Sequence, residues 1–385
     1  MKILVIGCGN IGFVVARDLA ESLPSTDIVL ADVDEVRVNE AASRINRQNA
    51  SGIRLDASNK PELVNALKDF DLAVGALPGR MGFQVCKAAI AAKADLIDVS
   101  YMPEDVMTLK KEASRAGISL LPDYGMSPGL GNILAGHAMS RLDSVESVHM
   151  LNGGLPEKPL PPFGYVITWS VNDLIDMYNR KVNIVKNGKT IQVEPLSGLE
   201  EIEFPGIGKL EAFYTDGLRT LLYTVRNCRD MWEKTLRYPG HVEKIGVLKK
   251  LGFFEERPMQ IGKTVVSPRE VTARLFEREL KKKDVRDIVV MCIQVTGKQD
   301  GKRVKFAYYV FESFDRKLHV TAMARTTAYT ASAATQLMAK AMIAEKGVIP
   351  PEKLGMSEKL YEEFIRIMKM HKVTATETKK PCDSL

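Results

Sequence analysis

Two rhythms of apolar and polar residues divide the chain. The first opens with Lys2–Ile6, a short apolar run closed by Gly7, and continues into a helical pattern through Val14, Val15 and Leu19. A second buried-strand run, Ile28–Asp32, follows, ending on an acid. Further strand patterns recur at Ile53–Leu55, Leu72–Ala76, Leu96–Val99 and Ile118–Leu121. Helical patterns such as Pro61–Leu67 and Phe83–Ala92 separate them. Apolar strands alternating with helices predict an α/β domain with a doubly wound parallel sheet.

After about Gly131 the rhythm changes. Val145–Leu151, Leu210–Tyr214, Ile288–Thr296 and Val304–Phe314 read as strands. Val182–Val193 reads as a hairpin turned by Asn187-Gly188. Helical patterns fall at Leu174–Tyr178, Val242–Leu251 and Pro268–Lys282. This is an α+β domain with a mixed or antiparallel sheet. Thr326–Ala344, rich in Ala and Thr, predicts a late helix that returns to the first domain. The expected organisation is 1–131 with 320–350 as one domain, 132–319 as the other, and 374–385 as a polar, mobile tail.

Composition narrows the function classes. At 385 residues the chain is long enough for two cores. Its net charge of +6 is spread along the sequence, which disfavours a nucleic-acid binder. The five cysteines stand far apart without a CxxC pair, so neither a metal site nor a disulfide framework is expected, and a reducing cytoplasm is the expected compartment. The charge-free stretch between Asp123 and Arg141 is broken by Pro128 and four glycines, so no membrane span is expected. Neither is a leader, since the opening apolar run reaches glycine at once. What remains is an enzyme of small molecules.

Gly7-Cys8-Gly9-Asn10-Ile11-Gly12 follows a strand, opens a helix and precedes Asp32 by the twenty residues that a dinucleotide fingerprint requires. Gly7 suits a tight turn, Gly9 a close approach of a pyrophosphate, and Gly12 close packing of helix on sheet. Asn10 and Ile11 start the helix whose N-terminus faces the phosphates. Asp32 would accept from ribose hydroxyls and repel a 2′-phosphate, which favours NAD in a Rossmann domain. Arg37 has two readings, a solvated helix position or a cation for that 2′-phosphate. At the carboxyl ends of the other strands stand Asp56 and Ala57 on the adenine side, and Ala76, Leu77 and Pro78 where backbone passes near ribose and nicotinamide. Val99, Ser100 and Asp123 lie there too. Asp98 is either a site residue or the cap of the turn toward Pro103. Ser127 reads as an N-cap with Pro128 at the first helical position. Asn132, one turn on, is either a surface position or a contact to the carboxamide or the substrate.

In the second domain, Asp216–Leu221 and Thr235–His241 concentrate residues of catalytic type: Arg219, Arg237 and His241. Of the five histidines, His241 is the one flanked by Arg, Pro and Gly, and its readings are structural or catalytic.

The set GCGNIG, DVSYMPED, DYGMSPGLGN, DGLRTL and TLRYPGH resembles the saccharopine dehydrogenase-like family, from Met1 to about Ile349, and within it the lysine 6-dehydrogenase branch. Saccharopine reductases carry an aspartate before the PG dipeptide where this chain has Ser127. The resemblance implies NAD-dependent oxidative deamination of the ε-amine of L-lysine, or a lysine-derived amine. The product is the 6-semialdehyde, which cyclises to piperideine-6-carboxylate. It also implies a homo-oligomer, a dimer as first expectation. A free ε-amine has a pKa of about 10.4, so a base of near-neutral pKa is useful, and His241 is the expected base. Arg219 or Arg237 would hold the α-carboxylate. Asp98, Asp123 and the Gly153-Gly154 carbonyls would face the amine. The alternatives are a saccharopine- or carboxynorspermidine-type reductive dehydrogenase using NADP, which Arg37 suits, and an NAD-sensing regulatory module.

Overall fold

A computed structural model describes residues 1–282 and 285–382. The chain separates into two compact units: Met1–Leu142 with Arg219–Leu221 and Ala324–Thr374, and Asp143–Leu218 with Leu222–Met323 and Ala375–Leu385.

Unit 1 begins as β1 (Lys2–Ile6), α1 (Asn10–Ser22), β2 (Asp27–Asp32), α2 (Glu35–Ile45) and β3 (Ala50–Arg54). It continues as α3 (Lys60–Leu67), β4 (Leu72–Gly75), α4 (Gly79–Ala92), β5 (Asp95–Asp98), α5 (Lys110–Ala116), β6 (Ser119–Leu121) and α6 (Leu130–Ser140). Helix starts follow local chemistry: Asp34 caps α2 by accepting from the Arg37 N–H, and Asn59 caps α3 with Pro61 in the first turn. The strands β1, β2, β4 and β5 carry the core, with Leu4, Ile6, Ala73 and Leu96 fully or almost fully buried between helices on both faces.

Unit 2 starts with β7 (Ser144–Pro156), α7 (Val171–Asn179), β8 (Val182–Lys186), β9 (Lys189–Val193), β10 (Glu200–Phe204) and β11 (Gly208–Tyr214). Then come the short α8 (Leu221–Thr224), β12 (Asp230–Arg237), α9 (His241–Lys250), β13 (Met259–Ile261), β14 (Thr264–Val266), α10 (Pro268–Leu280), β15 (Asp287–Gln299) and β16 (Lys302–Ser313). Its main sheet runs β10-β11-β12-β7-β15-β16-β18, where β18 is Ala375–Pro381. The sheet is mixed, since β12 lies parallel to β7 while β15 and β16 pair antiparallel. The β8–β9 hairpin turns at Asn187-Gly188, both with positive φ as a tight hairpin turn requires.

The return to unit 1 comprises α11 (Ala322–Ala339), β17 (Gly347–Val348), α12 (Pro351–Met356) and α13 (Glu358–Met370). With β17 added at the edge, the parallel sheet reads β17-β6-β5-β4-β1-β2-β3. The order reverses between β1 and β4, the place where such sheets bind ligands. Two glycines let α12 lie on α6: a Cβ at Gly136 would sit 2.1 Å from the Glu352 carbonyl oxygen, and one at Gly355 would sit 1.9 Å from that of Ile133. Asp18 on α1 receives the Ser332 hydroxyl and the Gln336 amide from α11, and His371 lies 3.0 Å from its other oxygen.

Three expectations change. The first unit runs to Leu142, beyond 131, and its return extends over Ala324–Thr374, because α6 and the two helices after β17 belong to the same core. The tail expected to be mobile forms β18, whose backbone completes the free edge of β16 in seven register pairs; residues 383–385 of it lie outside the described residues. Helix α6 is not capped by Ser127. A turn closed by the Leu130 N–H on the Gly125 carbonyl comes first, and Gly129, at φ 134°, occupies the cap.

Candidate functional site

The β1–α1 loop is shaped by contacts rather than by composition alone. Gly7 has φ +103°, and a Cβ there would meet the Ala76 carbonyl oxygen at 2.5 Å. A Cβ at Gly12 would fall 1.8 Å from the Gly7 carbonyl oxygen. Gly9, in contrast, has nothing within 4 Å of its Cβ position, and α1 begins behind it without a side-chain cap. Its first-turn N–H groups at Asn10 and Ile11 suit a pyrophosphate, so the residues present fit a dinucleotide.

Asp32 closes the end of β2. One carboxylate oxygen accepts from the Cys8 N–H at 2.8 Å and the other from the Asp34 N–H at 3.2 Å. Burial, with Asp32 alongside, pushes the Cys8 thiol up to about 12, so it stays protonated. The Arg37 guanidinium stands 4.0 Å from Asp32 and 3.7 Å from Asp34. Acid and guanidinium thus share one strand end. Asp56 binds the Ser58 N–H and hydroxyl, bonds that hold its carboxyl below the usual range. The Ala57 carbonyl accepts from Gln84 at 3.0 Å. Ala76 donates its N–H to Ile6, Leu77 packs near Gly7, and Pro78 starts α4. The Val99 N–H reaches the Gly75 carbonyl at 3.0 Å. Asn132 is fully buried and its carboxamide oxygen accepts from the Gly129 N–H at 3.0 Å, so it completes the α6 cap and is no surface position.

Asp98 and Asp123 form a buried acidic pair in unit 1. The Ser100 N–H and hydroxyl both donate to one oxygen of Asp98, while its other oxygen has no partner. Burial raises its carboxyl to about 7 against the pull of those bonds, and Asp123 adds to the rise. Asp98 therefore closes a turn on Ser100, whereas the short helix that follows is capped by Asp105. Asp123, at φ +63°, accepts from Arg219 Nε at 3.2 Å and leaves its other oxygen without a partner. Arg219 is thus engaged by an acid, and it also reaches the Glu104 carbonyl at 3.4 Å.

Arg237 differs. It is 3% exposed, stacks with its guanidinium carbon 4.3 Å from the Tyr165 ring centroid, and donates to the Leu236 carbonyl at 2.8 Å. Its guanidinium also hydrogen-bonds the Tyr178 hydroxyl, its Nε has no partner, and among the described residues no carboxylate pairs with it. A buried guanidinium that no acid neutralises has the charge and geometry that a carboxylate matches.

His241 does not serve as the expected base. Its Nδ1–H donates to the Phe163 carbonyl at 3.0 Å, which leaves Nε2 to accept from the Tyr178 hydroxyl at 2.8 Å. Burial, reinforced by Arg237, pushes its pKa down to about 3. The ring is neutral, satisfied at both nitrogens, and far too weak a base for an amine.

One group escaped sequence reading. Glu233 is 3% exposed and accepts from Asn152 Nδ2 at 3.1 Å and from the Thr215 hydroxyl. Burial lifts its carboxyl to about 7. The signal was present in β12, where Met231, Glu233, Thr235 and Arg237 alternate on one face and all are buried, so an acid occupies a core position. Among the described residues, no group of three or more His, Cys, Asp or Glu could hold a metal ion, and no helix is long and apolar enough to cross a membrane.

Residues 3–121 match the saccharopine dehydrogenase NADP binding domain and residues 125–373 the saccharopine dehydrogenase C-terminal domain. The chain is 24% identical over 277 residues to the NADP(+), L-glutamate-forming saccharopine dehydrogenase of Saccharomyces cerevisiae, covering 68% of this chain and 60% of that protein. It is 27% identical over 265 residues to the mitochondrial alpha-aminoadipic semialdehyde synthase of Bos taurus, covering 65% of this chain and 28% of that one. The matches therefore span less than two thirds of the length of these relatives. Carboxyaminopropylagmatine dehydrogenase of Synechocystis is 22% identical over 378 residues, 92% of each chain. The solved apo saccharopine dehydrogenase of S. cerevisiae has the same fold, with a TM-score of 0.77 at 18% identity over 98% of this chain and 99% of that one.

Proposed function

The chain belongs to the saccharopine dehydrogenase family, and within it we propose an NAD-dependent oxidoreductase that deaminates the ε-amino group of L-lysine. The amine is oxidised to an imine, which water converts to the 6-semialdehyde with release of ammonia, and the aldehyde closes on the α-amine as piperideine-6-carboxylate. The observation that carries the reading is the Arg237 guanidinium, a buried cation that no acid pairs with among the described residues, one cation for one carboxylate. Saccharopine, a tricarboxylate, asks for more.

NAD supplies the hydride acceptor when bound. The amides opening α1 hold its pyrophosphate, with Gly9 leaving the room, and Asp32 receives the adenosine ribose hydroxyls. In unit 1, Asp98 and Asp123 each keep one buried oxygen without a partner. Arg237 orients the amino acid through its carboxylate, and the orientation is worth more than the affinity, because a misplaced C6 loses rate. A homodimer and a cytoplasmic setting accompany this reading.

Arg37 supports a second reading, reductive chemistry with NADPH on an imine partner, since its guanidinium stands at the ribose end beside Asp32. One assay separates the two. Purified protein is followed by the absorbance of reduced nicotinamide with NAD or NADP and L-lysine, L-ornithine or saccharopine, and in reverse with amine–carbonyl pairs. Reduction of NAD by lysine alone, with stoichiometric ammonia, is the expected result. Silence with lysine together with NADPH oxidation by an imine pair overturns it.

A further inference from the structure

Glu233 occupies an unusual position for an acid. Its Gln-sized side chain lies in the interior of unit 2, held by Asn152 from β7, by Thr215 beyond β11, and by the Gly217 N–H. The Thr215 hydroxyl lies 2.7 Å from that of Thr235. Gly217 makes the space, since a Cβ there would fall 2.7 Å from the Glu233 carboxyl carbon. Every partner is neutral. Among the described residues no Lys or Arg pairs with Glu233, and its charged neighbour is the acidic Asp216, which is itself bound to Arg180 at 3.5 Å. A buried carboxylate with donors but no cation is an incomplete ion pair.

A second observation points the same way. Asn152 is 3% exposed, and with its Nδ2 given to Glu233 its Oδ1 has no hydrogen-bond partner. With Glu233 ionised, reversing the amide would set an oxygen against the carboxylate, so this assignment belongs to the charged form. Carboxylate and orphaned amide oxygen together form a pair of acceptors for an N–H donor that carries positive charge.

The register places this pair relative to Arg237. Asn152 stands opposite Thr235, on the same face of the sheet as Glu233 and Arg237. Four residues of strand separate the Cα atoms of Glu233 and Arg237 by about 13 Å. One face of β12 thus presents a cation for a carboxylate and, further along, acceptors for an amine.

We propose that Glu233 and Asn152 are the seat of the substrate's primary amine, with Glu233 taking its proton, an inference that rests on the amino-acid dehydrogenase reading above. The proton passes from the ammonium nitrogen to a carboxylate oxygen and leaves a neutral amine and a neutral carboxyl. Burial disfavours both charged forms and so moves the pair toward the neutral one. The carboxyl, raised to about 7, is better matched to this transfer than the histidine that the sequence suggested.

The test compares L-lysine with L-norleucine, which lacks only the amine, by calorimetry on the full-length protein with NADH bound. The wild type should prefer lysine by about tenfold or more, and Glu233→Gln should abolish the preference while its melting shows it folded. In NAD-reduction assays the same variant should lose about a hundredfold in kcat with KM for NAD unchanged. A measurement on the wild type alone guards against a variant that misfolds. Just below neutral pH the free Glu233 carboxyl is largely protonated, and since the complex shares a single proton between amine and carboxyl, lysine binding in buffers of different ionisation enthalpy should release the carboxyl's own proton, which norleucine does not. A folded Glu233→Gln protein that keeps the preference, or lysine binding without proton release, overturns the proposal. Preferential binding without turnover would sink the deamination reading and leave the seat standing. Absence of any lysine binding would remove both.

Discussion

At Arg219 a guanidinium meets a buried carboxylate, and at Arg237 it meets none, so removing each should cost something different. Arg219→Ala leaves Asp123 buried without its cation, and breaking a buried pair costs about 3 kcal/mol or more. A drop in denaturation midpoint that the double variant Arg219→Ala, Asp123→Asn largely recovers is the expected result; equal instability of both would mean that the pair is incidental. Arg237→Ala removes no internal partner acid, and KM for lysine should rise about a hundredfold with KM for NAD unchanged. Replacement of His241 by Asn should lower stability by about 1–3 kcal/mol, through the partners it leaves at Tyr178 and Phe163. It should not move the limb of the kcat pH profile, and a moved limb would restore His241 as the base. The sequence showed which residue types were unusual, but not which had been satisfied. Arg219 and Arg237 sit in equally suggestive strings, and only the fold supplies Asp123 to one and withholds an acid from the other. Glu233 went unnoticed because its strand was not recognised, and without the strand its buried phase had no meaning.

Among elements, the β1–α1 loop separates the two uses of glycine. Gly9→Ala has open space and a β-region backbone, so the protein should melt as the wild type does while KM for NAD rises, since the methyl obstructs only the ligand. Gly12→Ala drives a carbon into the Gly7 carbonyl and should unsettle the fold itself. Equal melting of the two variants would count against this division. At the other end of the chain, truncation after Thr374 removes β18 and exposes β16 as an edge. Loss of several degrees in Tm and salt-sensitive self-association in light scattering are expected. The parallel strands of unit 1 were legible because each is a continuous apolar run between helices. β18 was not, because Thr376–Lys380 is polar on both faces, and its strand character comes from pairing with β16, about 65 to 77 residues earlier, and from no local pattern. β12 was obscured in the same way by Glu, Lys and Arg within a central strand.

For the whole molecule, the late helix announced that the chain returns, yet not that it passes between the units at Leu142, Leu218, Leu221, Met323 and Thr374. The two units carry opposite titrating groups, and pH should therefore separate them. In unit 1, Asp98 is raised to about 7, so the folded state keeps a proton that the unfolded chain has released, and stability falls as pH rises from about 4 to 7. In unit 2, burial lowers His241 to about 3 and His149 to about 4, so the unfolded chain gains protons there that the folded state refuses. Their contribution is lost as pH falls below about 6.5. Glu233, raised to about 7, and Asp287, raised by burial, oppose the histidines in the same unit. On acidification from about pH 6.5 to 4.5, Asp98 thus favours unit 1, while in unit 2 Glu233 and Asp287 offset the two histidines, so unit 2 gains less. Differential scanning calorimetry should resolve two transitions, the expected departure from two-state behaviour for two cores, that draw apart on acidification. Glu233→Gln removes the opposing carboxyl. Its unit 2 transition should then lose stability toward acid relative to the wild type, by up to about 1.4 kcal/mol per pH unit, with the unit 1 transition unmoved. Parallel wild-type and variant profiles would show that Glu233 keeps an ordinary carboxylate pKa in the folded protein, and that burial at this strand position does not prepare it to exchange a proton.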